Sequence, residues 1–387
     1  MDVIVGQVTA LAEGASEATR KSILNALRDL SYKLESPDDT INRLWSGQVT
    51  IAVVRVGINL KIFEHLASSG KPLTMKELAT LTNADQTLLA RILRTLAGYG
   101  VIKENGINEF ARTNISDTLS RPGDIAAIKH YFDICGPSYQ ELPAWLEKRG
   151  YKNPTDPNDT PYHSAFNTTQ NLFEYMIEDG AAIENFNVYM TARRQNQKTW
   201  VHEYPMKDDI DLTNPNISPH GVLFVDVGGG VGHQAAEFRA AYPDLQGRVI
   251  NQDIPTSIAQ AETLPSAGIE HIVYDFNMPQ PVKGAKYYYL RMVLHDWPDG
   301  KCITILQNQI GAMAEDSIIL VDDMVVPNHG VPWQVAQFDI AMMAAGSAME
   351  RTEAQWDGLY EAVGLRVLRR VVYTPGVCEA VTALVRK

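Results

Sequence analysis

Apolar residues recur at helical spacing through roughly the first 200 positions and then give way to short continuous apolar runs, so the chain changes character near residue 221. Residues 1–36 have few helix breakers. Ser36-Pro37-Asp38-Asp39 punctuates them before a second periodic stretch from about 41 to 69, and both stretches read as packing or dimerising helices. Between 72 and 112 the pattern sharpens. Thr74 with Glu77 predicts a capping box for one short helix, and Thr82 with Asp85 a second, ahead of Leu88, Leu89, Ile92, Leu93 and Leu96. Gly98 and Gly100 close that helix, and 101–107 reads as a hairpin turning at Asn105-Gly106. Two helices and a hairpin predict a winged helix.

Residues 115–200 are again mostly helical, broken by the Pro- and Asp-rich loop 153–161, and a second such loop covers roughly 206–220. Apolar runs then appear at 222–227, 248–252, 270–274, 286–294, 317–326 and 366–373, most of them separated by helix-like segments. That alternation predicts an α/β fold with a doubly wound, mainly parallel, Rossmann-like sheet. The expected organisation is a helical extension over 1–40, a winged helix over 41–115, a helical substrate-pocket segment over 116–215 and the sheet domain over 216–387.

Charge narrows the partners. With 34 basic and 46 acidic residues the net charge is -12, which repels phosphate backbones and anionic membranes. Across 76–104 four basic residues (Lys76, Arg91, Arg94, Lys103) face three acidic ones, so the winged helix reads as a packing module and no nucleic-acid partner is expected. Three widely spaced cysteines give neither a disulfide framework nor a metal site. The start of the chain lacks the basic-then-apolar order of an export signal, and no apolar run reaches membrane-spanning length, so a soluble cytoplasmic protein without a membrane partner is expected.

Candidate chemistry gathers at the ends of the apolar runs. The first ends in Val225-Asp226-Val227-Gly228-Gly229-Gly230-Val231-Gly232, where absent side chains let the backbone approach a nucleotide-like cofactor. A dinucleotide fingerprint needs a sixth-position glycine, and His233 stands there, which counts against a nicotinamide cofactor. Asp253 closes the second run, placed to accept ribose hydroxyls, and Asp275 closes the third near the adenine site, with Phe276 offering a ring face. Each acid alone reads as a turn or cap residue; together with the glycines they read as a cofactor site. His295, in Leu294-His295-Asp296-Trp297-Pro298, is suited to remove a hydroxyl proton, with Asp323 and Glu350 as candidate orienting carboxylates. A structural histidine is the alternative.

These motifs, with Asp253-Ile254-Pro255 and Glu350-Arg351-Thr352, resemble the plant and fungal small-molecule O-methyltransferases from about residue 41 to the C-terminus. The resemblance implies a homodimer that binds S-adenosyl-L-methionine (SAM) through Gly228, Gly230, Asp253, Asp275 and Phe276, with Asp226 in the same turn and Arg291 where the family often carries lysine. It implies His295 as base, flanked by Asp323, where the family usually has glutamate, and Glu350. The small-molecule substrate is expected to be an aromatic or polyketide-like hydroxyl compound, its pocket walled by Phe132, Trp145, Phe166, Phe173, Met176 and Met190. The same scaffold resembles fungal SAM-dependent pericyclases, which transfer no methyl group. In that alternative His295 and Asp296 orient the substrate, and His130 with Arg193 or Arg194 are the further donors to inspect, their bland readings being a core histidine and a solvated helix face.

Overall fold

The computed structural model describes residues 2–194, 199–209, 220–262, 268–374 and 376–387. Two compact units share the chain: Met1–Pro137 with Phe173–Gln195, and Ser138–Leu172 with Asn196–Lys387. The segment 116–215 is therefore divided between both units, with Trp145 and Phe166 in one and Phe132, Phe173, Met176 and Met190 in the other.

In the first unit α1 (Asp2–Ala12) and α2 (Glu17–Leu34) bury no residue, whereas α3 (Pro37–Asn59) starts from a Ser36–Asp39 capping box with Pro37 in its first turn and runs into the core. Helix α4 (Ile62–Ser69), strand β1 (Leu73–Thr74), α5 (Met75–Thr82) and α6 (Gln86–Gly98) then enclose a cluster that includes Phe63, Leu66, Leu78, Leu89, Leu93 and Leu96. The Thr74–Glu77 capping box forms. The expected Thr82–Asp85 box does not: Asp85 is itself the N-cap of α6, accepting from the Leu88 amide, while Thr82 ends α5 and its hydroxyl bonds the Leu78 carbonyl. Aspartate caps a helix as well as threonine does, so the pattern was misread by one turn. The wing is β2 (Lys103–Gly106) against β3 (Glu109–Ala111), and it too departs from expectation: the turn lies at Ile107-Asn108, where Asn108 takes φ +57°. Gly106 is a strand residue beside a bulge, so the left-handed position fell to the second asparagine. Helices α7 (Asn114–Thr118) and α8 (Pro122–Lys129) lead into a π-helix, His130–Cys135.

In the second unit α9 (Gly136–Lys148, from Ser138 onward) and α10 (Pro161–Phe166) precede the sheet; α11 (Leu172–Asp179) and α12 (Ala181–Arg194) belong almost wholly to the first. After α13 (Trp200–Glu203) come β4 (Val222–Val227), α14 (His233–Ala241), β5 (Arg248–Asp253), α15 (Pro255–Ala261), β6 (Ile269–Val273) and β7 (Tyr287–Arg291). Next are α16 (Asp299–Ile310), β8 (Ile318–Met324), α17 (Trp333–Gly346), α18 (Glu353–Ala362), β9 (Leu365–Thr374) and β10 (Glu379–Arg386). The seven strands lie in the order β6-β5-β4-β7-β8-β10-β9, with β10 antiparallel to both neighbours and the rest of the sheet parallel. Strand β10 was not foreseen. Glu379 and Thr382 break its apolar run although both are buried, and with both faces covered no alternation shows.

Strand order reverses between β4 and β7, because the chain proceeds from β4 to β5 and β6 on one side and from β7 to β8 on the other. Ligands bind at such a switch point, outside the carboxyl ends of the strands. One face of the sheet is backed by α16 and α18 and the other by an aromatic stack in which Trp200 lies 4.4 Å from Tyr289 and Phe224 lies 4.2 Å from Phe238.

Candidate active site

The glycine turn leaves β4 at the switch point. Gly228, Gly230 and Gly232 all take positive φ (+73°, +59° and +88°), a conformation that costs an L side chain about 1 kcal/mol or more. A Cβ on Gly228 would come within 3.0 Å of Val293 and 3.9 Å of Phe276, whereas nothing lies within 4 Å of the corresponding point on Gly230. The turn is thus close-packed beneath and open above. Asp253 holds it: one carboxylate oxygen accepts from the Gly230 amide at 2.8 Å and the other from the Ile254 amide at 2.7 Å. Each of these oxygens keeps a second lone pair for a ligand hydroxyl. Asp275, exposed, accepts from the Asn277 backbone and side chain through one oxygen, which fixes its turn and leaves the other oxygen to the solvent side. Phe276 stands edge-on to Trp297 at 6.1 Å.

Asp226 is placed differently from a ligand-facing group. It is fully buried beneath the turn and accepts from the Ala235 amide at the start of α14, and burial pushes its carboxyl up to about 7. Its work is to hold helix to strand.

Arg291, at the end of β7, donates to Asp322 at 3.2 Å and toward Gln234 in the first turn of α14, which brings its guanidinium beside the glycine turn. Burial opposes its charge, but Asp322 outweighs that and keeps it firmly protonated. Asp322 also accepts from the hydroxyls of Tyr289 and Tyr373, and burial still lifts it to about 6.

His295 follows on a short 3₁₀ turn, Leu294–Asp296, entered through Met292 in the left-handed region at φ +49°. Such a backbone is held only where its surroundings over-determine it. Arg351 supplies much of that constraint. It is wholly buried, donates to the carbonyls of Leu294 and Trp297 on either side of the turn, and pairs with Asp299 at 2.8 Å. Sequence reasoning gave this arginine no role; its only signal was its place beside Glu350.

The His295 ring pairs through Nδ1 with Glu350 at 2.8 Å, while Nε2 lies 3.4 Å from Asp296. Glu350 is fixed in turn, its amide donating to Asp339 at 2.8 Å. Burial opposes charge on the imidazole, but Asp296, Glu350 and Asp323 overcome it and raise the ring to about 10. Asp296 is 44% exposed and water screens its share, so Glu350 is the stronger partner. Asp323 is buried to 1% exposure with no hydrogen-bond partner for either oxygen.

His130 lies in the other unit, on the π-helix, among Tyr131, Phe186 and Tyr189 with ring centroids 5.2–6.1 Å away. Its Nδ1 is buried without a partner, its Nε2 is 3.6 Å from Cys135, and burial lowers it to about 4, so it is neutral at physiological pH. Arg193 acts electrostatically on Tyr131, and the Arg194 side chain lies outside the described residues. Among the described residues no acid, histidine or cysteine group could hold a metal ion, and no helix is long and apolar enough to cross a membrane.

Residues 42–122 match the O-methyltransferase dimerisation domain and 139–366 the O-methyltransferase domain. Among curated relatives, demethylsterigmatocystin 6-O-methyltransferase of Aspergillus parasiticus is 39% identical over 373 residues, 96% of this chain and 95% of its own. The O-methyltransferase lepI of Aspergillus flavus is 36% identical over 96% of both. Among solved structures, LepI in complex with SAM is similar at 35% identity with a TM-score of 0.89 over 100% of this chain and 98% of the other. OxaC in complex with S-adenosylhomocysteine and oxaline follows at 26% identity and a TM-score of 0.82, over 99% and 98%.

Proposed function

Since this chain belongs to the O-methyltransferase family, whose cofactor is SAM, we propose that it methylates a hydroxyl group of an aromatic or polyketide-like metabolite, with His295 as general base. The observation that carries this reading is the buried His295–Glu350 pair at the end of β7, one strand from the open-topped glycine turn. Bound SAM supplies an electrophilic methyl group on a sulfonium. Gly228 and Gly230 with the Asp253 carboxylate would hold the nucleoside, Asp275 and Phe276 would meet its base, and Arg291 keeps a positive charge beside the turn. Nε2 of His295 takes the proton of the acceptor hydroxyl as its oxygen attacks, and Glu350 on Nδ1 orients the ring and stabilises the imidazolium that results. The relatives that support the substrate class include a demethylsterigmatocystin 6-O-methyltransferase.

A ring raised to about 10 is protonated at neutral pH, and only its neutral form can serve as base, so transfer should accelerate as pH rises through 7 to 9. The test is His295→Ala: kcat for methyl transfer should fall about 10²-fold or more while calorimetric SAM affinity stays near wild type. Unchanged turnover would remove His295 from the chemistry.

A second reading has one observation in its favour. A charged imidazole is a donor suited to a substrate carbonyl, and the chain is similar, at 35% identity and TM-score 0.89, to a structure described as a pericyclic reaction enzyme. In that reading SAM stays intact. Substrate turnover without matching S-adenosylhomocysteine would select it.

The chain is also proposed to act as a homodimer. Support comes from the dimerisation-domain match and from Leu27, Leu30, Leu34, Leu44 and Trp45, all exposed on α2 and α3. Light scattering of the purified protein should give twice the chain mass.

A further inference from the structure

The carboxylates around His295 are not equivalent. Glu350 has the imidazole, and Asp296 has water, being 44% exposed. Asp323 has neither: it is 1% exposed and neither oxygen meets a donor. An isolated carboxylate without water or a donor is costly enough that a buried group takes up a proton instead. The groups that act on it make ionisation harder. From the 3₁₀ turn it faces His295 and Asp296, from the segment before α18 Glu350, and from its own strand Asp322, so three acids oppose one imidazole. From α18 and α16 it faces only neutral groups, the Tyr360 hydroxyl, also unpartnered, and the Cys302 thiol. Arg351 is spent on Asp299 and two carbonyls, and Arg291 serves Asp322 on the opposite face of β8.

We propose that Asp323 is the neutral member of this cluster: it retains a proton at physiological pH, so that His295 confronts a single buried carboxylate, Glu350, and remains able to accept a proton from substrate. Four buried polar atoms lack partners here, the two oxygens of Asp323, Oε2 of Glu350 and the hydroxyl of Tyr360. A carboxylic acid at Asp323 adds a donor to a set whose only other donor is the Tyr360 hydroxyl, which makes no hydrogen bond to it. It also resolves the tension in the base assignment. Part of the upward pull on His295 comes from Asp323 as an anion, so with Asp323 neutral the ring is less strongly raised, and Glu350 orients it without locking its proton. Asp323 is thus a positioning residue that acts on the substrate only through His295.

The consequence for His295 rests on the methyl-transfer reading, but the protonation of Asp323 does not, and the two are tested apart. Infrared difference spectra of the full-length protein labelled with ¹³C-aspartate are recorded at about pH 8.5, above the values near 7 and 6 to which burial lifts Asp226 and Asp322. An isotope-shifted protonated-carboxyl stretch is expected in wild type and absent from Asp323→Asn. Absence of that band from wild type, or its loss in Glu350→Gln rather than Asp323→Asn, overturns the proposal. Should Asp323→Asn fold poorly, the band is assigned by its persistence in Asp296→Asn and Asp339→Asn, the remaining aspartates that burial lifts, and its loss in either of these overturns the proposal. Where turnover is available, the alkaline-rising limb of kcat/KM should move by less than about half a unit in Asp323→Asn; a fall of about one unit or more would mean that wild-type Asp323 carries charge.

Discussion

Asp322 and Asp323 are neighbours on β8 that point to opposite faces of one sheet, and they have opposite fates. Asp322 collects Arg291, Tyr289 and Tyr373, filling both its oxygens with a charge-assisted contact and two hydroxyls. Asp323 collects nothing, although it is just as buried. The first arrangement fixes geometry: it ties β7, β8 and β9 together. The second leaves electrostatic energy unspent next to His295, which is where a reaction needs a proton inventory that can change. A satisfied buried network specifies structure, and an unsatisfied one marks chemistry.

The largest effect should come from breaking the satisfied side. Asp322→Ala leaves the Arg291 guanidinium buried without its carboxylate and strands two tyrosine hydroxyls, so unfolding free energy should drop by about 3–5 kcal/mol in denaturant titration. A loss under about 1 kcal/mol would show that water reaches Arg291 and that the network is not closed. Glu350→Gln, on the reactive side, should do little to the melting transition and more to the kinetics. Without the anion on Nδ1 the imidazolium is less stabilised, so the pH limb of kcat/KM should move down by about one unit while kcat at its plateau falls about tenfold or more. A melting loss as large as that of Asp322→Ala with normal kinetics would mean that Glu350 is structural.

The linkage sign differs between these groups in a way that stability measurements can read. His295 and Asp323 both have raised values in the folded chain, so each contributes stability that is fully present below its unfolded pKa and is lost as pH rises. For Asp323 the loss begins near pH 4, through the range where an ordinary paired carboxylate would instead be gaining stability. Asp323→Asn removes that slope, and wild type and variant should diverge steadily between about pH 5 and 8 in favour of the variant.

Much of this was legible in the sequence, for physical reasons that also explain what was not. Glycines at 228, 230 and 232 announce positive φ, and apolar runs ending in Asp253 or leading into His295 announce strand ends at a crevice, since both signals are local. Glu350 stood in the sequence only as one of two candidate orienting carboxylates with Asp323, because 55 residues separate it from His295 and no periodicity reports which acid a loop folds back to the ring. Arg351 was invisible as a clamp for the same reason: its targets are carbonyls, which every residue carries. Asp226 and Asp253 looked alike as strand-end acids, yet one accepts from the helix and the other from the turn, because Asp226 stands level with Asn251 and Asp253 lies two residues nearer the carboxyl edge. The wing turn was misplaced because two asparagines lie three residues apart and only the β2–β3 register decides between them.

The smallest effect is the most discriminating, because it compares one atom on each face. The Tyr373 hydroxyl donates to Asp322 at 2.8 Å, and the Tyr360 hydroxyl is buried near Asp323 without a partner. Removing a satisfied hydroxyl strands its acceptor, so Tyr373→Phe should cost about 1–2 kcal/mol. Removing an orphan strands nothing and ends its desolvation penalty, so Tyr360→Phe should fall within about 0.5 kcal/mol of wild type or be slightly stabilising. Chemical denaturation of the pair at one pH reads the difference directly, since both phenylalanines keep the ring packing. If Tyr360→Phe costs as much as Tyr373→Phe, the hydroxyl has an acceptor in solution. The nearest buried candidate is Asp323, and the two faces of β8 would then differ in the kind of partner each carboxyl recruits rather than in whether it has one.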